Sequence, residues 1–127
     1  MLKYGIRVGL GQDCVLDPWY SLGTADLLDV AFMALHVAQM TSPADMTQCF
    51  HMVTRENAAI MGLQDYGLEK GSVASLVVLD ANGPVEAVRL RAQRLLVVSK
   101  GKVIARREKS PMTLSIPGRP ESIDRRF

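Results

Sequence analysis

Residues 9–23, GLGQDCVLDPWYSLG, concentrate the side chains of this chain that could do chemistry. Asp13 and Asp17 are carboxylates, Cys14 is a thiol, and Trp19 and Tyr20 follow a proline. A carboxylate at Asp13 could carry a proton from an attacking water to a leaving group. From local sequence alone, an Asp in this place is also a common turn or cap residue. Trp19 could stack on a planar heterocycle, or anchor the loop by burying a large apolar face. Asp17 could orient polar groups in a pocket. It stands before a proline, however, and the turn reading is preferred. Cys14 has no histidine or other basic partner placed to activate it, which favours a small packed thiol over a nucleophile.

The flanking elements decide where these side chains go. Residues 6–10 read as a short buried strand interrupted by Gly9, and Gly11 permits a turn after it. Asp17-Pro18 marks a loop. Thr24 is placed to cap a helix over residues 27–40, with Asp26 in its first turn. That helix is apolar on two faces, one of Leu28, Ala31, Phe32, Leu35 and Ala38, the other of Leu27, Val30, Ala34 and Val37. It therefore expects burial by several neighbours. Ser42-Pro43-Ala44-Asp45 predicts a capping box opening a second helix. Met46, Cys49, Phe50 and Val53 form its core stripe. Thr54 can cap a third, short helix through Met61, which Gly62 ends.

The texture changes at Gly67. Strands are predicted over residues 73–79, 94–99 and 102–106, with a short helix over 84–90. Lys100-Gly101 suits a tight hairpin. One more short strand is expected near residues 112–116, then a surface tail. Met33, Met40, Met46, Met52 and Met61 read as core.

The 127 residues suit about one domain. With 48% hydrophobic and 22% charged residues, the chain reads as globular rather than disordered. A net charge of +2 gives little support to a nucleic-acid partner. Arg89, Arg91 and Arg94 lack interleaved aromatics and read as a solvated face. No apolar run is long enough for a membrane span, and no signal peptide is apparent. Cys14 and Cys49 lack metal-ligand spacing, so a reducing, cytoplasmic compartment is expected. There is no H-x-H. His36 and His51 fall inside predicted helices and read as packing residues, too few for a zinc site. A strand buried on both faces needs neighbours, and none lies upstream, so a truncated chain is expected. The order of elements matches the end of a (β/α)8 barrel followed by a small sheet. A whole barrel takes about 250 residues.

GLGQDCVLDPWYSLG, the apolar helix through LHVAQM, and NAAIMGLQDYGLEKGSVASLVVLD together resemble the C-terminal part of cytosine deaminases of the amidohydrolase superfamily. The D-x-x-x-D-P-W-Y core carries most of the specificity. The resemblance implies an α/β fold. Residues 1–66 would be the last strand, active-site loop and helices of a metal-dependent (β/α)8 barrel. Residues 67–127 would be part of a small β-sandwich and a tail. It implies hydrolysis of the exocyclic amine of cytosine to give uracil and ammonia, with one divalent ion, iron or zinc. Asp13 matches the Asp that ends the last barrel strand, as metal ligand and proton shuttle. Trp19 matches a pocket residue, and Cys14 and Asp17 would help bind the substrate. The triplet Gln12-Asp13-Cys14 departs from the His-Asp-Asp of some relatives and opens the alternatives of isocytosine, a triazine amine or a creatinine-like amidine. A non-catalytic α+β interaction module is the remaining alternative. The resemblance further implies a small pyrimidine-like substrate, no nucleic-acid or membrane partner, and a homo-oligomer. Alone, the chain is expected to be inactive, to hold the metal poorly and to self-associate through uncovered apolar surface.

Overall fold

The computed structural model describes residues 1–108 and 113–121. After a single 3-10 turn at Leu2–Tyr4 come four helices: α1 (Leu27–Val37), α2 (Pro43–Met52), α3 (Arg55–Ile60) and α4 (Pro84–Arg89). Three strands, β1 (Leu76–Leu79), β2 (Arg94–Ser99) and β3 (Lys102–Arg106), form one antiparallel sheet in the order β1-β2-β3.

The local signals explain most of these elements. Ser42 and Asp45 make the expected capping box, with Pro43 in the first turn of α2. Lys100 and Gly101 have φ of 47° and 78°, the left-handed pair that a two-residue hairpin of this twist requires. Ser99 pairs with Lys102 across that hairpin, and Val97 pairs with Val77 on the other side. The first strand is shorter than expected, beginning at Leu76 rather than residue 73.

Four expectations are corrected. Residues 6–10 form no strand. A strand needs a neighbouring backbone to pair with, and the segment instead lies against the helices, where the Leu10 N–H donates to the Met52 carbonyl at 3.0 Å. The cap of α1 is Asp26, which accepts the Leu28 N–H at 2.8 Å; Thr24 instead donates its hydroxyl to Asp29 at 2.6 Å. Gln39, with φ 54°, interrupts the helical pattern, and α1 stops at Val37. Thr54 precedes α3 without a side-chain cap, because its hydroxyl donates back to the Phe50 carbonyl at 2.7 Å. Of the strand expected near residues 112–116, Met112 lies outside the described residues, and Thr113 makes only an isolated bridge.

One core joins the two halves of the chain. Leu28, Ala31 and Leu35 line one face of α1 and meet Cys49, Met52 and Val53. Val88 of α4 is fully buried in the same cluster. Met46 and Phe50 pack against it, as the stripe predicted. The second face of α1 is only partly covered: Ala34 packs against the core and Val30 is half-buried, but Leu27 and Val37 are exposed, Val37 at 80%. Met33 and Met61, expected in the core, are exposed as well. A helix of this composition is built for neighbours on both sides, and the described residues supply them fully on one side and in part on the other.

The loop that carries the chemistry-capable side chains is held at both ends. Upstream, the Asn57 side-chain amide donates to the Leu10 carbonyl at 2.6 Å. Downstream, Asp26 forms a two-pronged ion pair with Arg94 at the start of β2. Burial disfavours the Asp26 carboxylate, but the Arg94 guanidinium and the Leu28 N–H outweigh it, and the carboxyl is held below its ordinary range.

Candidate active site

Residues 11–23 run between these two tethers and wall an open cleft of about 610 Å³ against α1. Gln12, Asp13, Cys14 and Trp19 line it from the loop, and Asp29 and Phe32 from the helix. The Arg91 guanidinium also lines the cleft, 4.9 Å from the centre of the Phe32 ring, a cation–π contact. Asp13, Cys14 and Trp19 are thus brought to one cavity. Asp29, Tyr20 and Arg91 also line it. Tyr20 stood in the chemistry-capable stretch without a role, Arg91 read as part of a solvated face, and Asp29 carried no signal because nothing in its local pattern distinguishes it from a surface residue of a helix.

Asp13 is exposed, and its carboxylate has no hydrogen-bond partner among the described residues. Its backbone lies in the left-handed region with φ 63°. Asp and Asn tolerate that region better than other side chains, yet it still carries strain of about 1 kcal/mol. Strain of this kind gathers at functional positions.

Asp17 faces inward to its own loop. Its Oδ1 accepts the N–H groups of Trp19 at 2.9 Å and Tyr20 at 3.0 Å, while its own N–H reaches the Tyr20 carbonyl. The thiol of Cys14 also donates to this carboxylate. That bond, then the two N–H groups, holds the Asp17 carboxyl below its ordinary range. The same bond pushes the Cys14 thiol up, with burial and the charge of Asp13 acting the same way. A thiol held protonated is a poor nucleophile, which supports the packed-thiol reading. Gly23 closes the loop with φ 90°, and a Cβ there would sit 3.1 Å from the Cys14 carbonyl oxygen. Trp19 is 91% exposed, so it anchors nothing within the described residues and presents its ring to the cleft mouth.

The Asp17 hydrogen bonds set the attitude of Trp19, which can be read directly because Trp19 is the one tryptophan of the chain. Asp17→Ala is expected to lower the fluorescence anisotropy of Trp19 and raise its quenching by acrylamide. Asp17→Asn, which keeps the acceptor oxygen, is expected to retain most of the wild-type signal. A lowered carboxyl pKa means that the carboxylate interactions are complete at neutral pH and are lost only as pH falls below the ordinary value of 3.8. The wild-type anisotropy is therefore expected to hold on acidification to that point.

The cation donors are few. Among the described residues no cluster of three or more His, Cys, Asp or Glu could hold a metal ion. His36 Nδ1 is bonded to the Phe32 carbonyl at 2.8 Å, and His51 sits on α2 beside Phe50. Asp13 can supply one oxygen ligand. That donor set alone does not fit a divalent ion.

Comparison with known proteins identifies the family. The profile of the Amidohydrolase family matches residues 1–105. The chain belongs to the amidohydrolase family. This amidohydrolase chain is 31% identical over 109 residues to N-isopropylammelide isopropyl amidohydrolase of Pseudomonas sp. strain ADP, covering 85% of the chain and 27% of that protein. It is 30% identical over 103 residues to pterin deaminase of Rhizobium rhizogenes strain K84, covering 80% of the chain and 23% of that protein. Among solved structures, 5-methylcytosine deaminase from Klebsiella pneumoniae liganded with phosphonocytosine superposes with a TM-score of 0.81 at 39% identity, over 85% of the chain and 27% of that structure. The chain thus spans about a quarter of the length of these relatives.

Proposed function

We propose that this chain is the C-terminal part of an enzyme that hydrolyses the exocyclic amine of a pyrimidine-like ring, with cytosine to uracil and ammonia as the reaction. The observation that carries the reading is Asp13: an unpartnered carboxylate on strained backbone, in one cleft with an exposed indole. The matches to deaminases of nitrogen heterocycles support it.

In this reading water adds to the amine-bearing ring carbon, forming a C–O bond. Asp13 accepts the proton that the water loses and gives it to the departing nitrogen. The C–N bond then breaks, ammonia leaves, and the hydroxyl proton passes to the adjacent ring nitrogen, leaving the C=O of uracil. The carboxylate ends as it began, and the acid–base work of such a group is worth about 100- to 10,000-fold. Trp19 walls the flat face of the ring. Cys14 and Gln12 border the place where a ring substituent would lie. Asp13 would also be one ligand of a divalent iron or zinc ion whose other donors lie outside this chain, so the 127 residues alone would be inactive. We assign residues 1–66 to the C-terminal end of the catalytic barrel and 67–127 to part of a small β-sandwich and a tail. A homo-oligomer in the cytoplasm, acting on a small molecule, completes the proposal. No helix among the described residues is long and apolar enough to cross a membrane.

A second substrate class has its own support. Gln12 and Cys14 flank Asp13 at the cleft, and one relative is named for N-isopropylammelide rather than for a cytosine. Ammonia and amine release by the intact protein from cytosine, isocytosine and an alkylamino-triazine separates the two. Turnover of cytosine is the expected result. Turnover of the triazine alone changes the substrate, and release from none of them overturns the reading.

A further inference from the structure

We infer that Asn57 is a positioning residue for Asp13, an inference that rests on the catalytic reading of that carboxylate. Asp13 stands three residues beyond Leu10. Leu10 is the last point at which the chain is tied to the helices before the cleft: its N–H donates to the Met52 carbonyl at 3.0 Å, and its carbonyl accepts the Asn57 side-chain N–H at 2.6 Å. Among the described residues, 11–15 make no backbone–backbone hydrogen bond, and the next is from the Leu16 N–H to the Leu22 carbonyl. The place of the carboxylate is therefore set by where Leu10 is held.

The chemistry at this tether is specific. Leu10 is half-buried, and its carbonyl needs a donor. Asn57 supplies one from α3, 47 positions away in sequence. The approach is possible because residue 9 is glycine: a Cβ there would overlap the Asn57 Oδ1 and lie 3.0 Å from Ile60 Cδ1. Arg7 adds a second link to the same helix through its ion pair with Glu56 at 3.0 Å. An Asp at position 57 would keep the shape and lose the donor, setting a carboxylate against a carbonyl oxygen.

Three variants separate positioning from mere packing. Asn57→Asp in the intact protein is expected to lower kcat on the order of 100-fold, the scale of a misplacement near 1 Å, with little change in KM. Gly9→Ala is expected to lower both stability and kcat. The double variant Gly9→Ala/Asn57→Ala is expected to regain thermal stability, because the new methyl enters space vacated by the amide. Its kcat should stay low, because the Leu10 carbonyl still lacks its donor. In the chain alone, Asn57→Asp is expected to shift the amide resonances of Gly11, Gln12 and Asp13 while those of Ala31 and Val88 hold. Should the intact wild-type protein release no ammonia or amine from any substrate tried, the reading of the site fails, and the resonances alone judge the tether. Unmoved resonances at Gly11 to Asp13, or a kcat that returns with stability in the double variant, would overturn the inference.

Discussion

Asp13→Asn lowers ammonia release by the intact protein by about 1,000-fold, within the usual range for removing a general base and acid. KM changes little, because the interaction lost is one made in the transition state. The variant isolates charge from shape. Asn is nearly isosteric with Asp and tolerates the left-handed backbone that residue 13 adopts at φ 63°. The carboxylate also has no hydrogen-bond partner among the described residues, so within them no contact is broken and the proposed ion ligation is the one bond weakened. Thermal stability of the metal-free protein is therefore expected to match wild type. Asp13→Ala would confuse the two effects, since Ala is strained at that φ. Steady-state rates and a melting curve on the same Asn preparation check the prediction. Retention of a tenth or more of the rate would remove Asp13 from the chemistry.

The second large effect concerns the other end of the loop. Asp26→Ala destabilises the chain by about 2–3 kcal/mol, from a lost N-cap of about 1 kcal/mol and a lost charge-assisted pair of about 1.5. The Asp26 side chain is 19% exposed and that of Arg94 is 38% exposed, so water rescues the abandoned guanidinium and the loss stays below that of a fully buried pair. Asp26→Asn keeps an acceptor for the Leu28 N–H and loses about half as much. The sign of the pH dependence follows from the lowered carboxyl. The stabilisation is complete above the ordinary value of 3.8 and is lost as pH falls through the lower folded value. Urea melts of wild type and Asp26→Ala are expected to differ at pH 7 and to converge below that point. A difference that stays constant into strong acid would show that the cap and the ion pair are not its source.

These two positions also show what kind of structure can be read from sequence. The capping box at Ser42, the hairpin at Lys100-Gly101 and the stripe through Cys49 and Val53 are local patterns, and each appears as expected. Elements that depend on distant partners do not read so well. Thr24 and Asp26 are both good caps on local grounds; Arg94, 68 positions away, decides for Asp26. Residues 6–10 have a strand composition but no ladder to join. The apolar second face of α1 was legible as a demand for partners, and Val37 at 80% exposure shows that demand met only in part within the described residues.

The site divides the same way. Asp13, Cys14 and Trp19 were legible as a group because one short loop carries them, and they do line one cleft. Asp17 had two readings, and its bonds to the Trp19 and Tyr20 N–H groups place it as the turn former. Asn57 could not be found from its neighbours, since its partner is a backbone carbonyl on a segment far upstream, and only the absence of a side chain at Gly9 hints at a close approach.

The central claim is that the Asp13 carboxylate meets the reacting edge of a planar nitrogen heterocycle. A crystal structure of the intact protein with a non-hydrolysable cytosine analogue tests it most directly. A carboxylate oxygen of Asp13 is expected within about 3 Å of the analogue's exocyclic group, in hydrogen-bond reach, with the Trp19 ring against the heterocycle. An analogue bound in an active site from which Asp13 turns away into solvent would contradict it.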